Sequence, residues 1–288
     1  MTDVQDADPG ARLRIAVVGL GKMGLSHFAI VNAHPLTDTV LCDATGYLVD
    51  ALGRYVPNPI HKDFDRMLEA EEGLQAVVIA TPSRLHAGMV RKALDRGLHV
   101  FCEKPFCLDP ADSRALAGQA DAAALVNQVG YHYRYVGAFQ EMKRILDAGA
   151  LGRVTHAHAE AYGPVVLRPR RTTWRTSKAE GGGCLYDYAA HPINLLDWCF
   201  GRPETVAGVV LNPIFSADTD DEVYATFGYA GGMSAQLSVN WSDESHRKMS
   251  TAITVLGTNG RLHADRQECR LFLREANEAP PGTGSSTP

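Results

Sequence analysis

Residues 99–110 read HVFCEKPFCLDP, an apolar run that ends in an adjacent acid and base, Glu103 and Lys104, stopped at once by Pro105. A lysine partly desolvated beside a bound cofactor loses some proton affinity and can exchange a proton with a substrate hydroxyl. The plain alternative is an exposed lysine at a loop start. A second reactive group lies in EGGGCLYDYAAHPINLLDW, residues 180–198, where Asp187 and His191 stand four apart and share one helical face. An Asp so placed can orient a His and stabilise its charged form, and His is the natural proton acceptor near neutral pH. A capping Asp and a core-facing His would be the structural alternative. The stretch VVLRPRRTTWR, residues 165–175, puts Arg168, Arg170, Arg171 and Arg175 in one loop. Such a cluster can grip a phosphate or carboxylate, or can simply be solvated.

Chemistry of this kind needs a scaffold, and the N-terminal half supplies its signature. GLGKMG fills positions Gly19, Leu20, Gly21, Lys22, Met23 and Gly24, after one apolar run and at the opening of a helical one. In a dinucleotide fingerprint the first glycine allows the tight turn and the second admits the pyrophosphate. The third lets helix and strand pack, and the helix N-terminus offers free N–H groups to phosphate. Asp43 follows at the interval where an acid bonds the adenosine ribose hydroxyls; alternatively it caps a helix. An acid there repels a 2′-phosphate, and the next residues, Ala44, Thr45 and Gly46, bring no arginine. NAD is expected over NADP. ATPSRLH then places Thr81, Pro82 and His86, and CEKP places Glu103 and Lys104, at strand ends on the cofactor side.

The elements that carry these groups alternate. Apolar runs at 12–21, 39–43, 74–82, 99–103 and 125–133 read as strands, separated by helical stretches near 22–34, 64–72, 85–97 and 109–123. Asp63 and Asp109 are placed as N-caps, with Pro110 at the first helical position. Such alternation predicts a doubly wound parallel sheet of Rossmann type. Beyond residue 134 the pattern changes to helices at 136–148 and 186–200 and a series of strands without helices between them. That predicts a second α/β domain on a large, mostly antiparallel open sheet. The expected organisation is a polar tail over 1–11, a cofactor domain over 12–134, a substrate and oligomerisation domain over 135–275, and a disordered tail over 276–288.

Bulk properties exclude other classes. Of 288 residues, 45% are hydrophobic and 21% charged, and the net charge of −5 argues against nucleic acid or an anionic membrane as partner. The six cysteines form no CxxC pair, which fits reduced, cytoplasmic use and no metal site. No apolar run approaches the ~20 residues of a membrane span, and the acidic start is unlike a signal peptide. No tyrosine is followed by lysine four residues on, and neither G-x4-G-K-[ST] nor HExxH occurs.

Taken in order, GLGKMG, ATPSRLH, CEKP, GYHYRY and WR…GGGxLxDxxxH resemble the Gfo/Idh/MocA family of oxidoreductases over residues 12 to 265. The resemblance implies NAD(P)-dependent oxidation or reduction of a sugar or cyclitol hydroxyl, and a homo-oligomer, dimer or tetramer, built through the C-terminal sheet. It implies catalytic roles for Lys104, Asp187 and His191, with Arg134 and Arg175 near the substrate. Two positions depart from the family pattern: Ser83 where Asn is common, and Asn194 where H-x-x-D is common. Asn194 still bonds a hydroxyl but carries no charge. Members commonly continue with further helices where this chain runs into its polar tail, as a short member or a truncated one would. Two other activities fit the same fold: a sugar-sensing regulator without turnover, and a glycosidase or epimerase that uses NAD without net redox. Finally, a cis X–Pro bond costs only about 0.5–1 kcal/mol. A cis Lys104–Pro105 bond is expected, with the ammonium group facing the cavity that holds His191.

Overall fold

A computed structural model describes residues 12–167 and 174–275. The tails at 1–11 and 276–288 lie outside the described residues, as do Arg168, Arg170 and Arg171. The chain divides after Gly130 into two compact units, close to residue 134, where the sequence changes character.

In the first unit β1 (Leu13–Val18), β2 (Thr37–Cys42), β3 (Ile60–His61), β4 (Ala76–Ile79), β5 (His99–Cys102) and β6 (Asn127–Val129) form one parallel sheet in the order β3-β2-β1-β4-β5-β6. The strands read as continuous apolar runs because both faces are covered. Ala16 and Val18 join one buried cluster with Val40, Val77 and Val100. Ile15 and Val17 join the other with Phe28, Leu41 and Val78. The crossovers are α1 (Lys22–Ala33), α2 (Gly46–Leu52), α3 (Phe64–Ala70), α4 (His86–Asp95) and α5 (Pro110–Ala122). Asp63 accepts from Arg66 N–H and Asp109 from Ala111 N–H, with Pro110 opening α5, as the capping pattern requires. Two differences stand out. The sequence does not announce β3, two residues long beside Pro57 and Pro59. The strand expected over 125–133 is shorter, because the chain turns at Gly130, whose N–H donates to the Cys102 carbonyl at 2.8 Å. The strand order reverses between β1 and β4, so the ligand crevice of such a sheet lies at the carboxyl ends of these strands.

The second unit is built on seven strands: β7 (Val154–Tyr162), β8 (Thr205–Asn212), β9 (Glu222–Gly228), β10 (Ser234–Asn240), β11 (Ser250–Gly257), β12 (Gly260–Ala264) and β13 (Cys269–Leu273). Their order is β13-β12-β11-β7-β10-β9-β8, antiparallel except for the β7–β10 pair. Period-2 alternation on β7 sends Ala157, Ala159 and Ala161 inward. Into the same core α6 (Gly137–Asp147) brings Phe139 and Met142, and α7 (Ala190–Phe200) brings Leu195 and Leu196. The small alanines let the helices approach closely. His156, His158, Glu160 and Tyr162 alternate onto the opposite, half-buried face. Among the described residues no helix is long and apolar enough to cross a membrane.

Candidate active site

The glycine loop joins β1 to α1, and its three glycines are glycine for different reasons. Gly19 has φ +86, and a Cβ there would lie 2.7 Å from the Ala80 carbonyl carbon. A Cβ on Gly24 would fall 1.7 Å from the Gly19 carbonyl oxygen. These two are demanded by the chain's own packing. Gly21 is not: its backbone is extended, φ −66, and a Cβ there meets nothing within 4 Å. Packing does not explain a glycine here, and a pyrophosphate approaching the backbone would do so. As N-cap of α1, Gly21 brings no side chain over the first turn, where Lys22, Met23 and Gly24 follow without an acid. These features fit a dinucleotide. Asp43, just beyond β2, takes part in the same construction. One carboxylate oxygen accepts from Leu20 N–H at 2.5 Å and the other from Thr45 N–H at 2.7 Å. The acid is thus fixed against the glycine loop and also braces the start of α2.

At the ends of β4 and β5 the described residues sort by depth. Thr81 and Lys104 are half-buried and Pro82 is exposed. His86, expected to line the cofactor side, is 1% exposed and holds loops together instead. Its Nε2 meets the Thr81 carbonyl at 2.9 Å and its Nδ1 the Pro105 carbonyl at 2.9 Å. It lies beneath the edge and ties the two strand ends. The Lys104–Pro105 peptide is cis, the expected isomer. Glu103 turns toward α1, where its carboxylate meets His27 Nε2 at 2.7 Å; it also accepts from Lys104 N–H. Burial works to raise this carboxyl, yet the His27 hydrogen bond and the nearby positive charges hold it below the usual carboxylate range. A Cβ on Gly130 would stand 2.9 Å from Glu103 Oε2, so a larger residue there would make this carboxylate shift. His27, on the second turn of α1, was not foreseen; its partner is distant in sequence and no local pattern links them.

In the second unit the helix that carries His191 begins as a π-helical turn, Leu185–Ala189. Pro192 has no N–H and would clash with the carbonyl four residues back, which accounts for the widened turn before it. Asp187 lies in this turn, 7% exposed, and accepts from Arg175 Nε at 2.8 Å. The Arg175 guanidinium also lies over the Trp174 ring. Gly182 is necessary there, since its Cβ would stand 2.2 Å from the Arg175 carbonyl oxygen. Asp220 receives Leu185 N–H at 2.6 Å, and Asp221 receives three backbone amides and the Trp241 indole N–H. Neither acid was anticipated from the sequence. Asp221 is held ionised below its usual range: burial opposes this, and the Ser216 and Trp241 donors outweigh it. Two residues after the π turn ends, His191 is 4% exposed among rings, with centroids 4.7 Å from Tyr133, 5.3 Å from His132 and 6.4 Å from Tyr131. Arg134 Nε donates to Asn194 Oδ1 at 2.7 Å. The sequence-derived residues therefore assemble into two groups, one per unit. Among the described residues no cluster of His, Cys, Asp or Glu has metal-binding geometry.

Comparison with known proteins follows this division. Residues 13–131 match the family described as "Oxidoreductase family, NAD-binding Rossmann fold", and residues 139–263 match the "GFO/IDH/MocA C-terminal domain". The 2,7-anhydro-N-acetylneuraminate hydratase of Escherichia coli K12 is 24% identical over 271 residues, covering 91% of this chain and 70% of that protein. The scyllo-inositol 2-dehydrogenase (NAD(+)) of Bacillus subtilis 168 is 24% identical over 266 residues, 87% of this chain and 73% of that one. The chain spans 54% to 75% of the lengths of several such curated relatives. The WlbA dehydrogenase of Bordetella pertussis, solved with NADH and UDP-GlcNAcA, superposes with TM-score 0.84 at 22% identity, over 93% of this chain and 79% of that structure. That likeness shows the fold. With an NAD-binding Rossmann unit before a C-terminal domain of this type, the chain belongs to the GFO/IDH/MocA family of oxidoreductases.

Proposed function

We propose that the chain is an NAD-dependent dehydrogenase acting on a secondary hydroxyl of a sugar or cyclitol, free, phosphorylated or nucleotide-linked. The observation that carries this reading is His191: an imidazole 4% exposed, caged by aromatic rings and one turn beyond an acid braced by arginine. A base screened from water in this way suits proton removal from a hydroxyl. His191 takes the hydroxyl proton. Asp187 sets a negative charge one turn away and favours the imidazolium that results. Lys104 assists by donating to the same oxygen. Bound NAD supplies the hydride acceptor at C4 of the nicotinamide. Gly19 to Gly24 hold the pyrophosphate, Asp43 the adenosine ribose, and Thr81, Pro82 and Glu103 the cofactor's flank. Arg134, Arg175 and Asn194 stand on the substrate side.

NADH absorbance over a panel of sugars and cyclitols tests the reaction. His191→Ala and Lys104→Ala should each lower kcat by about 10²–10⁴-fold; near-wild-type turnover in both would remove the assignment. A second reading is favoured by the E. coli relative, which bears the name of a hydratase. In it NAD is used transiently, without net redox change. Product formation without NADH accumulation would select that reading.

We infer also that copies of the chain, two or four, associate through the open face of the seven-stranded sheet, where Leu256 and Phe272 stand exposed among polar groups. Light scattering after size exclusion reads this directly. All six cysteines are free, which supports work in a reducing compartment, the cytoplasm.

A further inference from the structure

Asn194 stands three residues after His191, on the same helical face. Arg134, in the short turn His132–Tyr135, spans it: Nε donates to Asn194 Oδ1 at 2.7 Å and Nη2 to the Asn194 main-chain oxygen at 3.4 Å. A guanidinium only donates. The oxygen end of the amide must therefore face Arg134. Among the described residues no group receives the Nδ2 end. With Tyr131, Asp197, Phe227 and Tyr229, Asn194 lines a cavity of about 210 Å³.

An aspartate at this place would offer only acceptors and would select a substrate hydroxyl as donor. The asparagine shifts that polarity, because its oxygen is turned to Arg134 and its N–H donors are left for a ligand. Its neighbours agree. Burial pushes the Tyr131 phenol above its usual range, against the pull of Arg134, so it keeps its proton and can donate. Arg134 adds positive charge. Asp197 opposes it in part, with Oδ2 3.8 Å from Arg134 Nη2, but its side chain is 47% exposed and its charge is largely screened.

We propose that Asn194 is a specificity-determining residue that presents an N–H donor beside His191 and selects a substrate bearing an acceptor-only group next to the oxidised carbinol, the carboxylate of a sugar acid. That the neighbouring carbinol is oxidised rests on the dehydrogenase reading; the binding preference does not.

The test uses two matched pairs, glucuronate against glucose and UDP-glucuronate against UDP-glucose, titrated into the full chain saturated with NADH. Because NADH accepts no hydride from an alcohol, binding is read by calorimetry without turnover. In at least one pair the acid should bind about tenfold or more tighter, the worth of a hydrogen bond to a charged group. Asn194→Asp should abolish that ratio by placing a carboxylate against the ligand's own. Asn194→Leu, of similar size and without a donor, should abolish it too, and serves if the first variant folds poorly. Equal binding within each pair, a ratio unchanged in both variants, or binding of no member overturns the proposal. If the acid binds selectively, the variants lose the selectivity, and NAD gives no NADH, the proposed donor stands and the dehydrogenase reading falls.

Discussion

Alanine at Gly21 and alanine at Gly24 should fail in opposite ways, although the two positions lie three residues apart in one motif. At Gly21 the backbone is already in a region open to any residue, and an added Cβ meets nothing within 4 Å. Gly21→Ala should leave stability unchanged or raise it by about 0.4–1 kcal/mol, through the lost freedom of the unfolded chain. Its methyl group would instead stand where a pyrophosphate comes against the loop. Charged hydrogen bonds are worth about 1.5–3 kcal/mol each, so loss of one weakens NADH binding about 10- to 100-fold. At Gly24 the Cβ would lie 1.7 Å from the Gly19 oxygen, and Gly19 cannot retreat, since its own far side is closed by Ala80. Overpacking costs about 1–3 kcal/mol even where side chains can give. Backbone against backbone belongs at the top of that range, a fall of roughly 6–12 °C at about 2–4 °C per kcal/mol. Thermal melts of both variants, with NADH titrations by fluorescence, decide the matter. If Gly21→Ala binds NADH like the wild type, the loop does not hold the cofactor in the manner argued.

Asp43→Ala should narrow the preference for NAD over NADP, measured by titrating both; tighter NADP binding by the unmodified chain would refute the role given to this acid. Glu103 contributes a pH dependence. Its carboxyl is depressed in the folded chain, so its contribution is complete above the unfolded value near 4.3 and is lost as pH falls through the lower folded value. Urea unfolding of Glu103→Gln and wild type should therefore differ most near pH 7 and converge toward pH 3; a constant difference would show that the charge is not the source.

The first unit was legible because each of its signals is local. Apolar runs such as RIAVV, the caps Asp63 and Asp109, and the spacing of Gly19, Gly21 and Gly24 each act within one turn or strand, and each produced the element expected. What the residues did not disclose depends on distance. The His27–Glu103 pair joins a helix to the end of the fifth strand, and Asp220 supports Leu185 from another part of the chain. Neither pairing has a sequence pattern. His86 shows the limit from the other side. It stands just beyond a strand end, yet its two nitrogens are engaged by the Thr81 and Pro105 carbonyls, partners that no local pattern announces.

Asp187 and His191 show what helical spacing alone leaves out. Four residues apart on an ideal α-helix they would face one another, and an Asp orienting a His follows at once. The chain instead begins this helix with a π turn, because Pro192 withdraws an N–H and crowds the carbonyl behind it. Arg175, which the sequence assigned to substrate, then takes up the acid. An arginine engaged in this way gives the Asp187 carboxylate a partner in a site 7% exposed, where an unpaired carboxylate would be costly. On the proposed reading Arg175 is a positioning residue as much as a substrate contact, and the proposed proton acceptor depends on a loop that precedes it in sequence.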